Sequence, residues 1–334
     1  MIGFGQKKPD ITTIGSALLD TMFYTDQGTI IETPEDPRCS KVIAFEQGAK
    51  IRSNKVYYTW GGGAANTAVT FARMGLRTRI LTAVGNDAMG DECRRYLQGE
   101  GVDASLMQTE HRERTGASFI VNVGSRNDHV IFAHRGALES LRLPTLTRQL
   151  VGQWLYVSAL TGNWHKNLAT IQTGVTKYRL NMVWNPGSSQ IAAGIKKLKP
   201  FLAAVHTLIV NQDEATELLM NAGMSIGKTP AQLARSLYRY GVGRCIVTAG
   251  HKGATLYDGK KIYFQAAKLR TVRNKTGAGD AFGSGYTTGC MKGLSLQQSL
   301  RLGSLNSSSV IGHIGAQAGI LTKSVLQQFT TNGS

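Results

Sequence analysis

Acidic residues are scarce in this chain: 21 Asp and Glu stand against 38 Lys and Arg, a formal net charge of +17 over 334 residues. An excess of that size raises nucleic acid or an anionic surface as a partner. The basic residues are spread along the whole chain, however. The densest groups, Lys196-Lys197-Leu198-Lys199 and Arg142 to Arg148, are short and not interleaved with aromatics. Nucleic acid is therefore not the expected partner, and a basic surface that attracts phosphorylated metabolites is the simpler account. Cysteine is also sparse. Cys39, Cys93, Cys245 and Cys290 are far apart and form no CxxC pair, which argues against a disulfide framework or a zinc site and for a reduced cytoplasm. No apolar run is long enough to span a bilayer. The stretch Met1 to Asp10 has no apolar segment of the secretory kind. A cytoplasmic globular protein with no membrane partner is expected, with apolar residues at 42% and charged residues at 18%.

What the chain does have is alternation of short apolar runs with helical stretches. Ile11 to Gly15, Arg79 to Val84, Trp154 to Ser158, Met182 to Asn185, Thr207 to Asn211 and Cys245 to Thr248 read as strands. Ala64 to Met74, Asp87 to Gln98, His165 to Tyr178, Asp213 to Asn221 and Gln232 to Tyr240 read as helices. Strand–helix–strand repetition predicts a doubly wound, mainly parallel α/β sheet covered on both faces, with sites beyond the carboxyl ends of its strands. Ser40 to Trp60 and Thr115 to His134 alternate without a helix and read as hairpins, a small β lid being one explanation. A third hairpin, Thr255 to Gln265, turns at Asp258-Gly259 and extends the main sheet edge.

One glycine motif is a decoy. Ala222 to Thr229 approaches a phosphate-binding loop, but it follows a helix instead of a strand, and Thr229-Pro230 reads as the cap and first position of the next helix. Four other segments carry chemistry. In Lys275-Thr276-Gly277-Ala278-Gly279-Asp280, glycines lead into a helix start with a carboxylate in the same turn. That can hold an anion on backbone N–H groups while Asp280 takes a proton from a hydroxyl. Gly61-Gly62-Gly63-Ala64-Ala65-Asn66 lets backbone approach a ligand and offers Asn66 to its hydroxyls. Asn211-Gln212-Asp213-Glu214 at a strand end either organises water on a metal ion or forms a reciprocal helix cap. Val247 to Gly253 ends a strand in a glycine-rich turn that would suit a nucleotide.

In this order and at these spacings the motifs resemble the ribokinase-like (PfkB) carbohydrate kinase family, over nearly the whole chain. The resemblance implies a single kinase domain over 1–334 with a lid from about 21–60 and 112–136, and magnesium-dependent transfer of the ATP γ-phosphate to a hydroxymethyl group. By position it implies Asp280 as base and Gly277, Ala278 and Gly279 as anion hole. It implies Asp20, Gly62, Gly63 and Asn66 on the sugar or nucleoside, with Glu214 placing Mg²⁺. It also implies Asn185, Asn211, Thr248, Gly250, Gly253 and Asn306 on ATP. Ser118, Phe119 and Arg135 are the lid candidates for contact with substrate, with no choice among them made by the sequence. A homodimer through the lid goes with the family.

The chain departs from the pattern at two places. Asn274-Lys275 replaces an Asp-Thr pair whose carboxylate commonly helps bind a monovalent cation, which makes that site doubtful. Gly63 stands where ribokinases proper carry a lysine, so ribose is not implied. The expected function is a sugar or nucleoside kinase, with a phosphosugar kinase as alternative. A silent sugar or nucleotide sensor and a basic nucleic-acid-binding protein are the readings from other classes, and an intact Asp280 argues against the sensor.

Overall fold

The structure is a computed structural model, and it describes residues 8–32, 41–124, 128–220, 229–268 and 270–331. Its centre is a nine-stranded sheet. From one edge the order runs Ile262–Gln265, Ala254–Tyr257, Cys245–Thr248, Val205–Asn211, Asn181–Trp184, Trp154–Val157, Ile11–Ile14, Thr78–Leu81, Val102–Asp103. Every pair is parallel except the two made by Ala254–Tyr257, which is antiparallel to both its neighbours. The predicted third hairpin therefore extends the sheet. The parallel strands are nearly continuous apolar runs buried on both faces, as helices on both sides require. One core fills the side of the helices Trp164–Tyr178, Ile195–Leu202 and Pro230–Tyr238. The opposite face is covered by Gly63–Arg73, Ala278–Met291 and Leu296–Val310.

The strand order reverses at Ile11–Ile14, which lies between Trp154–Val157 and Thr78–Leu81. A crevice opens beyond the carboxyl ends of strands at such a point. A separate four-stranded sheet stands next to it, ordered Asp128–His134, Ala117–Val123, Leu18–Thr25, Lys55–Gly61. Here the structure differs from the sequence expectations. Thr115 to His134 does form a hairpin, but Ser40 to Trp60 does not. Lys41–Ala44 pairs with Thr29–Glu32, while Lys55–Gly61 pairs with Leu18–Thr25. Alternation shows that a segment is half-buried β-structure; it does not name its partner. Ser40 itself and the decoy residues Ala222 to Lys228 lie outside the described residues. Thr229 caps the helix Pro230–Tyr238, its side chain accepting from the Gln232 N–H.

The helix that begins at Ala278 is held by close approach to its neighbour. Gly285 and Gly289 face Leu296–Val310, and a Cβ on Gly303 would meet the Phe282 carbonyl at 2.7 Å and the Tyr286 N at 3.2 Å. Only hydrogen fits there. Gly303→Ala is expected to lower unfolding stability by about 1–3 kcal/mol through overpacking. Urea denaturation checks this, and an unchanged midpoint and slope would show that the helices part without cost.

Candidate active site

The two glycine motifs converge on the crevice but leave their helix ends in opposite states. At the start of Gly63–Arg73 the backbone donors are already taken. Gly63 N–H donates to Ser16 Oγ at 3.0 Å, and Ala64 and Ala65 donate to the Ser16 carbonyl at 3.0 and 3.1 Å. A Cβ on Gly62 or Gly63 would strike Ser16 or Ser158, so these two are glycine because helix and strand ends touch there. Gly63 therefore offers no free N–H to a substrate. At the start of Ala278–Met291 only the Ala278 N–H has a loop partner, the Lys275 carbonyl at 3.2 Å. No side chain caps this end, and Gly277 holds φ 77°. The N–H groups of Gly277, Gly279 and Asp280 are those a helix leaves over. Gly279 is exposed with open space where a Cβ would stand. An anion can approach this end directly.

Asp280 stands in that first turn. Asn66 Nδ2 donates to its Oδ2 at 2.8 Å. Its Oδ1 lies about 3.4 Å from where a Gly63 Cβ would be, facing the glycine block. Burial holds the carboxyl above its ordinary pKa, and the Asn66 bond opposes that. Asn66 is 4% exposed, and its Oδ1 accepts from Gln317 Nε2 at 3.0 Å. For the hydroxyl-binding role expected of Asn66, its second Nδ2 hydrogen and the second lone pair of Oδ1 remain. Its main contacts position Asp280.

Asp20 projects from the small-sheet strand Leu18–Thr25 and is 5% exposed. Ser118 Oγ donates to its Oδ1, and Gly61 leaves the space its Oδ2 occupies. Burial pushes Asp20 up to about 6, with the Ser118 bond pulling down, the Asp280 charge pushing up and Arg135 pulling down. Asp20, Asp280, Asn66, Ser118 and Arg135 thus share one neighbourhood. Phe119 points the other way, 47% exposed on the outer face.

The remaining predicted residues lie along the carboxyl edge of the sheet. Asn185 follows Asn181–Trp184 and donates from Nδ2 to the Ile209 carbonyl at 2.9 Å. Asn211 and Thr248 are register partners on adjacent strands. Gly250 is exposed in the turn beyond, where its φ is 54°, and Gly253 meets Gln265 and Ala266 closely. Asn211 and Glu214 make the reciprocal cap: Asn211 N–H to Glu214 Oε2 at 2.8 Å, Glu214 N–H to Asn211 Oδ1 at 2.9 Å. Burial raises the Glu214 pKa, and its other oxygen remains open. Asn306 is not placed for ATP. It is fully buried, donating to the Ala281 carbonyl at 2.8 Å and accepting from Leu321 N–H at 2.9 Å. It braces two elements instead.

Asn274 is 7% exposed and also engaged. Its Oδ1 accepts from Thr276 N–H at 2.7 Å, and its Nδ2 reaches Met22 Sδ at 3.5 Å, joining the glycine loop to the small sheet. Three further contributors, Ser16, Tyr96 and Gln317, were not found in the sequence. Each is an isolated polar residue with no motif around it.

The comparisons fit this geometry. The sequence pattern described as "pfkB family carbohydrate kinase" matches residues 37–323. The chain belongs to that family. It is a phosphotransferase with an alcohol group as acceptor. It is 24% identical to the ribokinase of Haemophilus influenzae over 286 residues, 84% of this chain and 90% of that one. It is 26% identical to the nucleoside kinase of Methanocaldococcus jannaschii over 322 residues, 95% of each. The crystal structure of the nucleoside kinase from that organism covers 98% of this chain and 100% of its own at a TM-score of 0.77 and 22% identity. The ribokinase of Cryptococcus neoformans, crystallised with ADP, gives 0.77 at 24% identity, covering 96% of this chain and 99% of that one. No helix among the described residues is long and apolar enough to cross a membrane.

A buried carboxylate kept ionised at neutral pH costs stability. Asp20 has its folded pKa raised above the unfolded value, so the penalty is full above about pH 6 and fades as pH falls toward 4. Asp20→Asn should therefore be more stable than the parent at pH 8, by on the order of 2 kcal/mol, with the advantage gone near pH 4. Thermal unfolding across that range measures it; a variant no more stable at pH 8 would show that the carboxylate is well solvated.

Proposed function

We propose that the crevice transfers the γ-phosphoryl group of ATP to a hydroxymethyl group of a sugar or nucleoside, with Asp280 as base. The observation that carries this is the first turn of Ala278–Met291, where a carboxylate with one oxygen tied down shares a helix end with unclaimed N–H groups. The acceptor O–H gives its proton to Asp280 Oδ1. Its oxygen forms the new bond to phosphorus as the bond to the β-phosphate oxygen breaks, and ADP leaves with that electron pair. The N–H groups of Gly277, Gly279 and Asp280 meet the charge on the transferring group. Asp20, with Gly62 and Ser118, orients the acceptor.

The adenosine end belongs along Asn211, Thr248, Gly250 and Gly253. Three strand spacings separate Val205–Asn211 from Ile11–Ile14, about 14 Å at ~4.8 Å each, a length a triphosphate can bridge. Asn185 lies between, and Glu214 stands in the first helical turn after Asn211. Their open oxygens are a hard donor set that suits Mg²⁺ held through water, and the ion would neutralise phosphate charge there. A phosphosugar acceptor is the second reading, favoured by Arg135, which brings a positive charge to Asp20 from the lid. The outer face of the small sheet exposes Val56, Tyr58, Phe119 and Phe132, the surface through which a second copy would pair.

A screen of ATP consumption over ribose, deoxyribose, fructose, inosine, adenosine and fructose 6-phosphate tests the reading. Asp280→Asn should cut kcat on the best acceptor by about 10²–10⁴-fold and leave ATP affinity nearly unchanged; retained turnover would remove the base.

The Asn274 oxygen already serves the Thr276 N–H and carries no charge, so potassium activation is not expected. Rates at fixed ionic strength should be equal in potassium and tetramethylammonium, and several-fold activation specific to potassium would show that other ligands hold the cation.

A further inference from the structure

We propose that Gln317 is a positioning residue for phosphoryl transfer: it fixes which way round the Asn66 amide lies, and so reserves Asp280 Oδ1 for the acceptor. The proposal rests on Asp280 being the base. A side-chain amide has no shape preference between its oxygen and nitrogen; partners decide. Gln317 Nε2 can only donate, and it meets Asn66 at 3.0 Å. Asn66 must present Oδ1 there, which turns Nδ2 to Asp280 Oδ2 at 2.8 Å. The Gln317 amide is oriented in turn by the Tyr96 hydroxyl, which donates to Oε1 at 2.6 Å. Tyr96 is stacked on Trp60 at 6.1 Å, and burial with the nearby Glu100 pushes its pKa up to about 12, so its proton is always present. Donors therefore run in one direction from Tyr96 through Gln317 and Asn66 to the carboxylate.

Asn66 and Gln317 are 4% and 5% exposed, so water cannot readily replace a lost partner. The Gln317 backbone is anchored separately, its carbonyl accepting from Arg73 Nη1 at 2.7 Å. The side chain can thus be changed with the loop still tied. If Asn66 turned over, its oxygen would face Asp280 Oδ2 with no proton between them. Asp280 would then hold its proton to higher pH and could not accept another. The other groups acting on Asp280 are Asp20 from the small sheet and the Tyr156 hydroxyl from the main sheet. Arg73 and Glu100 act on Tyr96. Gln317→Met adds no charge to this set, whereas Gln317→Glu brings a carboxylate of its own beside Asn66 and Tyr96, so the neutral variant is the one that isolates amide orientation.

The test compares Gln317→Glu and Gln317→Met with the parent by two readouts. Carboxyl-labelled aspartate allows the Asp280 resonance to be titrated by NMR in the free protein, identified by its loss in Asp280→Asn. Kinetics use the best acceptor among the six compounds named above. A glutamate can only accept at neutral pH, so it pulls Nδ2 away and turns the amide. Gln317→Glu should raise the Asp280 titration by about one pH unit and lower kcat about tenfold, a fraction of a base's usual contribution, with KM for ATP unchanged. Gln317→Met, which cannot steer the amide, should shift both in the same direction by less. If Gln317→Glu does not fold, Gln317→Met carries the test. An Asp280 titration that stays at the parent's pH, with or without a fall in thermal stability, would overturn the proposal and leave Gln317 a structural residue. Full turnover by Asp280→Asn would instead overturn the base, with the titration still reporting amide orientation.

Discussion

Asn66 and Asp280 are 214 positions apart in sequence and 2.8 Å apart in space. That hydrogen bond joins the starts of two helices at the reversal of the strand order, and the rest of the site is arranged to satisfy it. A partly buried carboxylate is costly unless its oxygens are claimed. Asn66 claims one, which lets the other face the crevice. Gly303 admits the Ala278–Met291 helix deeply enough to reach Asn66, and Ser16 ties down the helix that carries it. The loop Gly315–Gln317 serves both sides. Gly315 meets Thr59 of the small sheet, Ala316 meets Gly277, and Gln317 bonds Asn66.

Much of this was legible in the sequence, for identifiable reasons. Buried parallel strands are apolar on both faces and helices recur at their own period, so most strands of the main sheet could be read; the two-residue edge Val102–Asp103 was missed, and Arg79 to Val84 runs past Thr78–Leu81 into Ala83–Gly85, which pairs with Gln108–Glu110 in another sheet. Asp280 and the glycine motifs were legible as a helix start because glycines and a short carboxylate stand together there, and the structure has an uncapped helix end with Asp280 in its first turn. Asn-x-x-Glu was legible as two alternatives, and the geometry contains the reciprocal cap with one carboxylate oxygen to spare.

What was not legible depended on partners distant in sequence. Leu18–Thr25 follows the first strand so closely that only its pairing with Ala117–Val123 and Lys55–Gly61 reveals a second sheet. The alternation of Ser40 to Trp60 concealed two strands with different partners. Asn306, assigned to ATP by resemblance, falls on the inner face of its helix, where both its polar groups are spent on backbone. Gln317 is a lone glutamine in a loop; nothing local marks it, and its meaning comes from Asn66 and Tyr96.

On the proposed reading, the base and the N–H groups around the phosphate belong to one helical turn, whereas Asp20 and Ser118 belong to a different sheet. Reaction geometry and acceptor choice are therefore carried by separate mechanical parts. On that reading, substitutions on the strands Leu18–Thr25 and Ala117–Val123 that spare Met22, the contact of Asn274, would reshape the acceptor pocket without altering the distance between base and phosphorus. A scaffold divided in this way is open to change of substrate at little risk to its chemistry, because new specificity can be tried on one part while the other continues to work.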